Sequence, residues 1–332
     1  MPPISCRRQG RIARLLIDRP DALNAIDRAM VDALQKALAE WRDIPEVHAV
    51  VIEGAGGRAF CAGGDIRALR AQLDAGDLAA VDGFFAAEYA LDLAVARYPK
   101  PVVALVDGVC MGGGVGISVH GAVRVATEAA VFAMPEAAIG LFPDVGASFL
   151  LPRLPGALGF WMGLTGARVR GADAVHLGLA THFVPRAALP ALTDALAADG
   201  LAALAGLAAP LPAFTHAADR AAIDTCFAEP GVDAILARLA AAEGAWAREA
   251  ERAIAAASPS AVLWTDALLR RGAARSLEEC LAAEARLVHH AIRQPDFAEG
   301  VRAMVIDKDR SPRWTPARLA DVDRAMIASV TA

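Results

Sequence analysis

Short apolar runs typical of buried strands stop near residue 185 of this 332-residue chain, and this change constrains the fold most. Before it, the runs alternate with helical patterns and glycine-rich turns, as in a layered α/β structure. The runs are residues 11–18, 48–54, 100–108, 121–127 and 181–185. Later segments rich in Ala, Leu, Arg and Glu predict helices over 187–206, 232–257, 260–271 and 276–293. We therefore predict an α/β core over residues 1–190 and a helical region over 191–332.

One helix between the first two runs can be predicted in detail. Its apolar residues Met30, Leu34, Leu38 and Trp41 recur at a spacing that places them on one helical face. Asp27 precedes them and is predicted to be the N-cap, because its carboxylate can accept a free backbone N–H of the first turn.

Charge and cysteine content narrow the class of protein. The 33 Lys and Arg are outnumbered by 38 Asp and Glu, for a net charge of -5, and no basic run stands out. A nucleic-acid partner is therefore not expected. The five cysteines form no C-x-x-C pair, so we predict neither a zinc site nor a disulfide framework. A reducing compartment fits this pattern, and we expect a cytoplasmic protein.

No membrane partner is expected either. The most membrane-like stretch, Gly200–Phe214, is too short to span a bilayer, and Pro210 and Pro212 interrupt it. The first eleven residues lack the apolar core of a secretory signal.

A glycine pattern after the second run, Gly54-x-Gly56-x-x-Ala59, matches the fingerprint of a dinucleotide-binding turn. That fingerprint requires a helix to follow directly, and here the sequence continues with Phe-Cys-Ala-Gly-Gly. The acidic residue expected at the end of a second strand is also missing. A Rossmann fold is therefore not predicted.

Two further glycine clusters lie at strand exits, Gly63-Gly64 and Gly112-Gly113-Gly114. Each could be only a tight packing turn, since glycine lets backbones approach closely. Two exposed backbone N–H groups from separate turns are also what an oxyanion hole for acyl chemistry requires. No Lys-Ser or Lys-Thr follows the second cluster, so it is not a phosphate-binding P-loop.

Two carboxylates stand in an otherwise uncharged segment, residues 131–151. Glu136 follows a proline, and so does Asp144; their neighbours are Ala, Ile, Leu, Phe and Val. Burying an acid among apolar neighbours costs free energy, and such acids are often found at functional sites. We therefore favour a functional role for both residues over a structural one. Glu88 lies on a predicted apolar helix and is a weaker candidate for a cleft. His289 and His290 have no partner at metal-ligand spacing, and no metal site is predicted.

Several longer motifs together resemble the crotonase (enoyl-CoA hydratase/isomerase) superfamily. They are AFCAGGDI, GVCMGGGVG, FAMPEAAIGLFPDVG and ATHFV. The tail, FAEGVRAMVIDKDRSPRWTP, resembles one branch, whose members hydrolyse the thioester of 3-hydroxyisobutyryl-CoA in valine breakdown. The resemblance runs nearly end to end and implies a spiral of ββα units over residues 1–190.

The resemblance also implies roles for individual residues. By motif position, the N–H groups of Gly64 and Gly113 would form the oxyanion hole. Glu136 and Asp144 would be the carboxylates at the reacting centre, and Glu88 would line the acyl pocket. Coenzyme A would be part of the acyl-CoA substrate, and no further cofactor is expected. Superfamily members are commonly trimers or pairs of trimers, so a trimer-based homo-oligomer is an expectation.

One departure from the hydratase pattern separates the possible activities. Hydratases of the superfamily carry a second catalytic Glu after the glycine cluster, and here that position matches Gly116. Asp144 stands where hydratases typically have glycine. Both differences favour hydrolysis over an enoyl-CoA hydratase or isomerase activity. A non-catalytic acyl-CoA-binding protein would lose the glycines or carboxylates, and this chain retains both.

Overall fold

A computed structural model of the chain describes residues 3–207 and 209–331. Residues 1, 2, 208 and 332, which belong to ranges considered above, lie outside the described part. The contacts group the chain into two compact units built from separated segments. The first unit has residues up to Asp65, Ala87–Phe132 and Val169–Thr215; the second has Ile66–Ala86, Ala133–Arg168 and the chain from His216. The division at residues 190 and 191 is a different one and stays a prediction.

Within the described residues, the strands form a six-stranded and a four-stranded sheet. The larger has the order β1-β2-β3-β5-β7-β10, in which β1 and β2 are antiparallel and the other neighbours are parallel. The smaller has the order β4-β6-β8-β9. The strands are β1 Ile4–Gln9, β2 Ile12–Ile17, β3 Ala49–Gly54, β4 Ala59–Cys61, β5 Val102–Val106, β6 Val109–Met111, β7 Val123–Ala126, β8 Val131–Ala133, β9 Val169–Arg170 and β10 His182–Phe183.

Each of the five predicted runs contains a strand of the larger sheet, which confirms the α/β prediction. The prediction missed β1 and every strand of the smaller sheet. Those four strands have only two or three residues each, too few for an alternating pattern to stand out. β1 carries Cys6, Arg7, Arg8 and Gln9, whose polar character hides an edge strand.

The helices outnumber the strands and dominate the chain after residue 183. They are α1 Arg28–Arg42, α2 Ile66–Asp74, α3 Leu78–Ala96, α4 Gly113–Val119, α5 Ala147–Leu150, α6 Leu158–Thr165, α7 Asp173–His176, α8 Leu189–Asp199, α9 Leu204–Leu207, α10 Arg220–Phe227, α11 Val232–Ala241, α12 Ala245–Ala256, α13 Pro259–Gly272, α14 Leu277–Ala291, α15 Pro295–Val301 and α16 Arg324–Val330. The predicted helix over 232–257 is two helices, because Gly244 with φ of 108° separates them.

Helix α1 forms as predicted. The Asp27 carboxylate accepts the N–H of Met30 at 2.9 Å and caps the first turn. Met30, Leu34 and Leu38 are buried, whereas Trp41 is only half-buried and donates its indole N–H to the Cys6 sulfur.

Helix α8 covers one face of the larger sheet. Its Leu192 and Leu196 are fully buried in a core cluster that includes Ile12 of β2 and Val103 of β5. The helical stretch Arg186–Gly206 containing α8 is long and apolar enough to cross a membrane by length and composition, with 28% of the tested window buried. The sequence alone indicates residues 200–214 as the most membrane-like stretch, and the structure places the long apolar helical stretch at residues 186–206. The buried residues of α8 recur at helical spacing between exposed ones, a pattern that mean hydropathy does not report.

Candidate active site

The two glycine clusters lie side by side in the first unit. Strands β4 and β6 are parallel neighbours, so their exits meet at one end of the smaller sheet. A Cβ on Gly63, whose φ is 102°, would lie 3.1 Å from the Met111 carbonyl oxygen and 3.5 Å from the Gly113 nitrogen. Glycine is therefore needed for the clusters to approach this closely.

Gly64 pairs with Ile26 in an isolated β-bridge whose two hydrogen bonds are made by the neighbours of Gly64, so the Gly64 N–H takes no part in them. Ile26 donates its N–H to the Gly63 carbonyl at 2.9 Å, and Asp65 donates its N–H to the Ile26 carbonyl at 2.8 Å. The N–H of Gly113 begins helix α4, where first-turn N–H groups have no intrahelical acceptor. The two turns thus offer backbone donors of the kind that an oxyanion hole uses.

Asn24 anchors the segment leading into the first cluster, and sequence reasoning assigned it no role. It is fully buried with φ of 58°. Its side-chain amide donates to the carbonyls of Ala55 and Ala59 at 2.9 and 2.7 Å and accepts the Arg19 N–H at 2.9 Å. Its tolerance of a left-handed backbone and its capacity to bond backbone groups are the signals that could have identified it.

Glu88 lies against the second glycine cluster. It is 2% exposed on α3, and a Cβ on Gly113 would lie 2.1 Å from its Oε1 atom. Asp92, one helical turn later, is fully buried and was not singled out from the sequence. Burial raises the pKa of the Cys61 thiol to about 12, and the charges of Glu88 and Asp92 act in the same direction. Cys61 is therefore a protonated thiol, while α3 brings two buried acids to this end of the sheet.

The other two predicted carboxylates belong to the second unit, and both are buried there. Glu136 is 6% exposed and opens a 3-10 turn, Glu136–Ile139, directly after Pro135. Asp144 is 4% exposed within residues 141–148, all of which are buried. The expectation that these acids are not solvated surface residues is confirmed.

The Glu136 turn rests on residues from near the end of the chain. The N–H of Ser258 donates to the Ala137 carbonyl at 3.1 Å. A Cβ on Gly140 would lie 2.4 Å from the Asp296 carbonyl oxygen, and one on Gly300 would lie 2.4 Å from the Ile139 carbonyl carbon. Helix α15 therefore packs backbone to backbone against the turn, which gives part of the tail motif a structural purpose.

Glu284 of α14 contacts the Asp144 segment and was missed entirely. Its carboxylate is fully buried and accepts the N–H groups of Gly146 and Ser148 at 2.7 and 2.9 Å, together with the Ser148 hydroxyl. Burial raises the pKa of Glu284 to about 8, and the nearby Asp144 carboxylate acts in the same direction. Glu284 lies on the apolar face of α14, one turn after Cys280 and Leu281 and one turn before Leu287 and Val288. That spacing is the signal that could have identified it as buried.

Several titratable groups outside these clusters form ion pairs. His289 and Arg293 contact the Asp82 carboxylate, and Asp307 and Asp309 both pair with Arg302. Across residues 3–207 and 209–331, no group of three or more His, Cys, Asp or Glu is arranged to hold a metal ion.

The contact between Gly113 and Glu88 gives a first prediction. We expect Gly113→Ala to lower the free energy of unfolding by roughly 1–3 kcal/mol, because the added methyl overlaps a buried side chain. In a Glu88→Ala background the same substitution should cost clearly less. Denaturant unfolding measures both values, and Gly206→Ala is the control, because its Cβ would meet nothing within 4 Å. An equal penalty in both backgrounds would contradict this contact.

Comparisons with known proteins show which family the chain belongs to. A model of the family described as Enoyl-CoA hydratase/isomerase matches residues 12–331. The chain is 42% identical to a protein of Xenopus tropicalis named 3-hydroxyisobutyryl-CoA hydrolase, mitochondrial, over 95% of this chain and 85% of that protein. Both relatives that follow are solved structures. One, titled a carnitinyl-CoA dehydratase from Mycobacterium thermoresistibile, has a TM-score of 0.95 at 40% identity, over 100% of this chain and 97% of that one. Another, titled an enoyl-CoA hydratase from Rhodobacter sphaeroides 2.4.1, has a TM-score of 0.92 at 42% identity, over 99% and 97%.

The predicted cytoplasmic location is wrong by this comparison, since the named Xenopus relative is mitochondrial. The prediction rested on cysteines, and reduced cysteines fit any reducing compartment. Cys61, Cys110, Cys226 and Cys280 are buried thiols whose pKa values are raised chiefly by burial, so they carry no information about location.

The structural neighbours confirm the crotonase fold expected from the motifs, with the helical C-terminal region included in the match. The family match also covers nearly the whole chain rather than one segment of it. The chain belongs to the enoyl-CoA hydratase/isomerase family, the crotonase superfamily.

Proposed function

We propose that this protein hydrolyses the thioester of 3-hydroxyisobutyryl-CoA to 3-hydroxyisobutyrate and coenzyme A, a step of valine breakdown. The observation that carries the proposal is the similarity to a hydrolase of that name over 95% of the chain. The buried acid Asp144, at a position where hydratases typically have glycine, supports it. 3-Hydroxypropionyl-CoA carries the same hydroxyl and is a second substrate of the proposal.

The proposed chemistry uses two backbone donors and one carboxylate. As the thioester carbonyl is attacked, negative charge develops on its oxygen, and the N–H groups of Gly64 and Gly113 stabilise it. Glu136 either attacks the carbonyl carbon itself, forming an anhydride as the carbon–sulfur bond breaks, or takes a proton from an attacking water. The thiolate leaves and is protonated to free coenzyme A, and water completes the first route by cleaving the anhydride. No other cofactor takes part.

Asp144 and Glu88 are proposed to shape the acyl end of the site. The Asp144 carboxylate accepts a hydrogen bond from the 3-hydroxyl of the substrate, assists proton transfer, or does both. Glu88 lines the acyl pocket next to Gly113, where an added Cβ would lie 2.1 Å from its Oε1 atom. A buried acceptor left without its hydroxyl partner is costly, so the site would reject acyl chains that lack the group.

Hydration of an enoyl-CoA is the second candidate, since two similar solved structures are titled a hydratase and a dehydratase. Hydration by a pair of glutamates needs a second Glu where this chain has Gly116. Gly116 lies within α4 and has no side chain, so it supplies no second carboxylate.

Paired assays decide between the two activities. Purified protein is incubated with 3-hydroxyisobutyryl-CoA and with crotonyl-CoA, and both free thiol release and loss of enoyl absorbance are followed. We expect thiol release from the first substrate and little change in the second. Loss of enoyl absorbance without thiol release would overturn the hydrolase proposal.

Glu136→Gln keeps the shape of the side chain and removes its charge. We expect kcat to fall roughly 10³-fold or more with a modest change in KM, because the group acts in the transition state rather than in binding. Thiol-release kinetics measure both constants. A variant that retains more than about a tenth of the wild-type kcat would exclude Glu136 as nucleophile or base.

Asp144→Ala tests whether this carboxylate recognises the hydroxyl. Wild type should favour 3-hydroxyisobutyryl-CoA over isobutyryl-CoA by on the order of 10² in kcat/KM. The Ala variant should lose that preference, mainly through lower activity on the hydroxylated substrate. Asp144→Asn should keep part of it, because its amide oxygen still accepts. An unchanged preference in the Ala variant would leave Asp144 only a proton-transfer or structural role.

A further inference from the structure

The Glu284 carboxyl group makes all its described hydrogen bonds with the short segment that follows Asp144. Its Oε2 atom accepts the Gly146 N–H at 2.7 Å, and its Oε1 atom accepts the Ser148 N–H at 2.9 Å and the Ser148 hydroxyl. The Ala147 N–H between them donates to the Asp144 carbonyl at 2.9 Å. One side chain from α14 therefore fixes the backbone immediately after a proposed active-site residue.

Residues 145–148 need stabilising contacts from another part of the chain because their backbone is strained. Val145 has φ of 54° and Gly146 has φ of 82°. The left-handed region is ordinary for glycine, but a β-branched residue such as valine adopts it only with backbone strain. Such a conformation persists only where the surroundings over-determine it. Glu284 accepts three hydrogen bonds from Gly146 and Ser148, the residues on either side of Ala147, and Gly146 directly follows the strained valine.

The three donors make this arrangement specific to a carboxyl group rather than an amide. Glu284 is fully buried, and three donors converge on its two oxygens. An amide at this position would turn its NH₂ group toward an N–H donor, so at least one bond would be lost and two donors would face each other. The Asp144 carboxylate is close enough to raise the pKa of Glu284, which is further evidence that the two groups share one site.

We infer that Glu284 is a positioning residue: it holds residues 145–148 so that Asp144 keeps the orientation in which it recognises the 3-hydroxyl of the substrate. This inference rests on the role proposed above for Asp144. Glu284 has no contact with the substrate in this account, and its effect on the reaction passes through Asp144.

Glu284→Gln tests the inference with a side chain of the same size. We expect kcat/KM for 3-hydroxyisobutyryl-CoA to fall roughly 10²-fold, because misplacing a group in the site by about 1 Å costs that much. Activity on isobutyryl-CoA, which offers Asp144 no hydroxyl, should change far less. The preference between the two thioesters should therefore fall as it does in Asp144→Ala.

A double-mutant cycle separates positioning from a general structural effect. If Glu284 acts through Asp144, adding Glu284→Gln to Asp144→Ala should cause no further loss. The kcat/KM of the double variant should then lie within about twofold of that of Asp144→Ala alone, which is the usual margin of such a comparison. If the two losses multiply, Glu284 acts elsewhere and the inference is overturned, while the proposed role of Asp144 stands. If Asp144→Ala keeps the wild-type preference, that proposed role fails first and the inference fails with it.

Two further variants guard against misfolding. Asp266→Asn removes another buried carboxylate from the same unit, whose described ion pair is with Arg270 rather than with residues 145–148, and it should leave the substrate preference unchanged. Ser148→Ala removes only one of the three donors to Glu284 and should cause a smaller loss of preference. Where circular dichroism shows that Glu284→Gln does not fold, the cycle of Ser148→Ala with Asp144→Ala decides by the same criteria. A Ser148→Ala variant with full wild-type preference would then overturn the inference.

Discussion

The close approach of helix α4 to strand β4 is the constraint on which the first unit depends. A Cβ on Gly114 would lie 2.2 Å from the Cys61 carbonyl oxygen, so no other residue fits there without movement of the backbone. This contact sets where α4 begins, and with it the direction of the N–H groups in its first turn. The position of Glu88 beside Gly113 follows from the same packing. The glycines of this cluster thus allow the close packing of α4 against β4 and Glu88.

Several carboxyl groups of the protein are buried. Glu88, Asp92, Glu136, Asp144 and Glu284 are all at most 6% exposed, although removing a charge from water is costly. Glu284 shows how part of that cost is offset, through three hydrogen bonds donated by backbone and hydroxyl groups. The same burial makes a lost partner expensive, which is the physical basis for a site that discriminates between acyl chains.

Sequence reasoning succeeded where the signal was local. The five apolar runs, the cap at Asp27 and the burial of Glu136 and Asp144 could all be predicted, because each depends on neighbours within a few residues. The long-range bonds of Asn24 and Glu284 could not, since those partners lie 31 to 138 residues away along the chain. Strands of two or three residues were also missed, because pairing rather than periodicity defines them. The catalytic roles came from resemblance, not from the pattern alone.

The support of the Glu136 turn by α15 has a consequence for how the chain matures on the ribosome. The contacts of Gly140 with Asp296 and of Ile139 with Gly300 join residues that are about 160 positions apart in the sequence. At about 5–20 residues per second, the supporting helix is synthesised on the order of 10–30 s after the turn. Through that interval the Glu136 turn lacks the backbone contacts that α15 makes with it in the folded protein. The turn that carries Glu136 therefore gains its backbone contacts with α15 only after about 160 further residues have been synthesised.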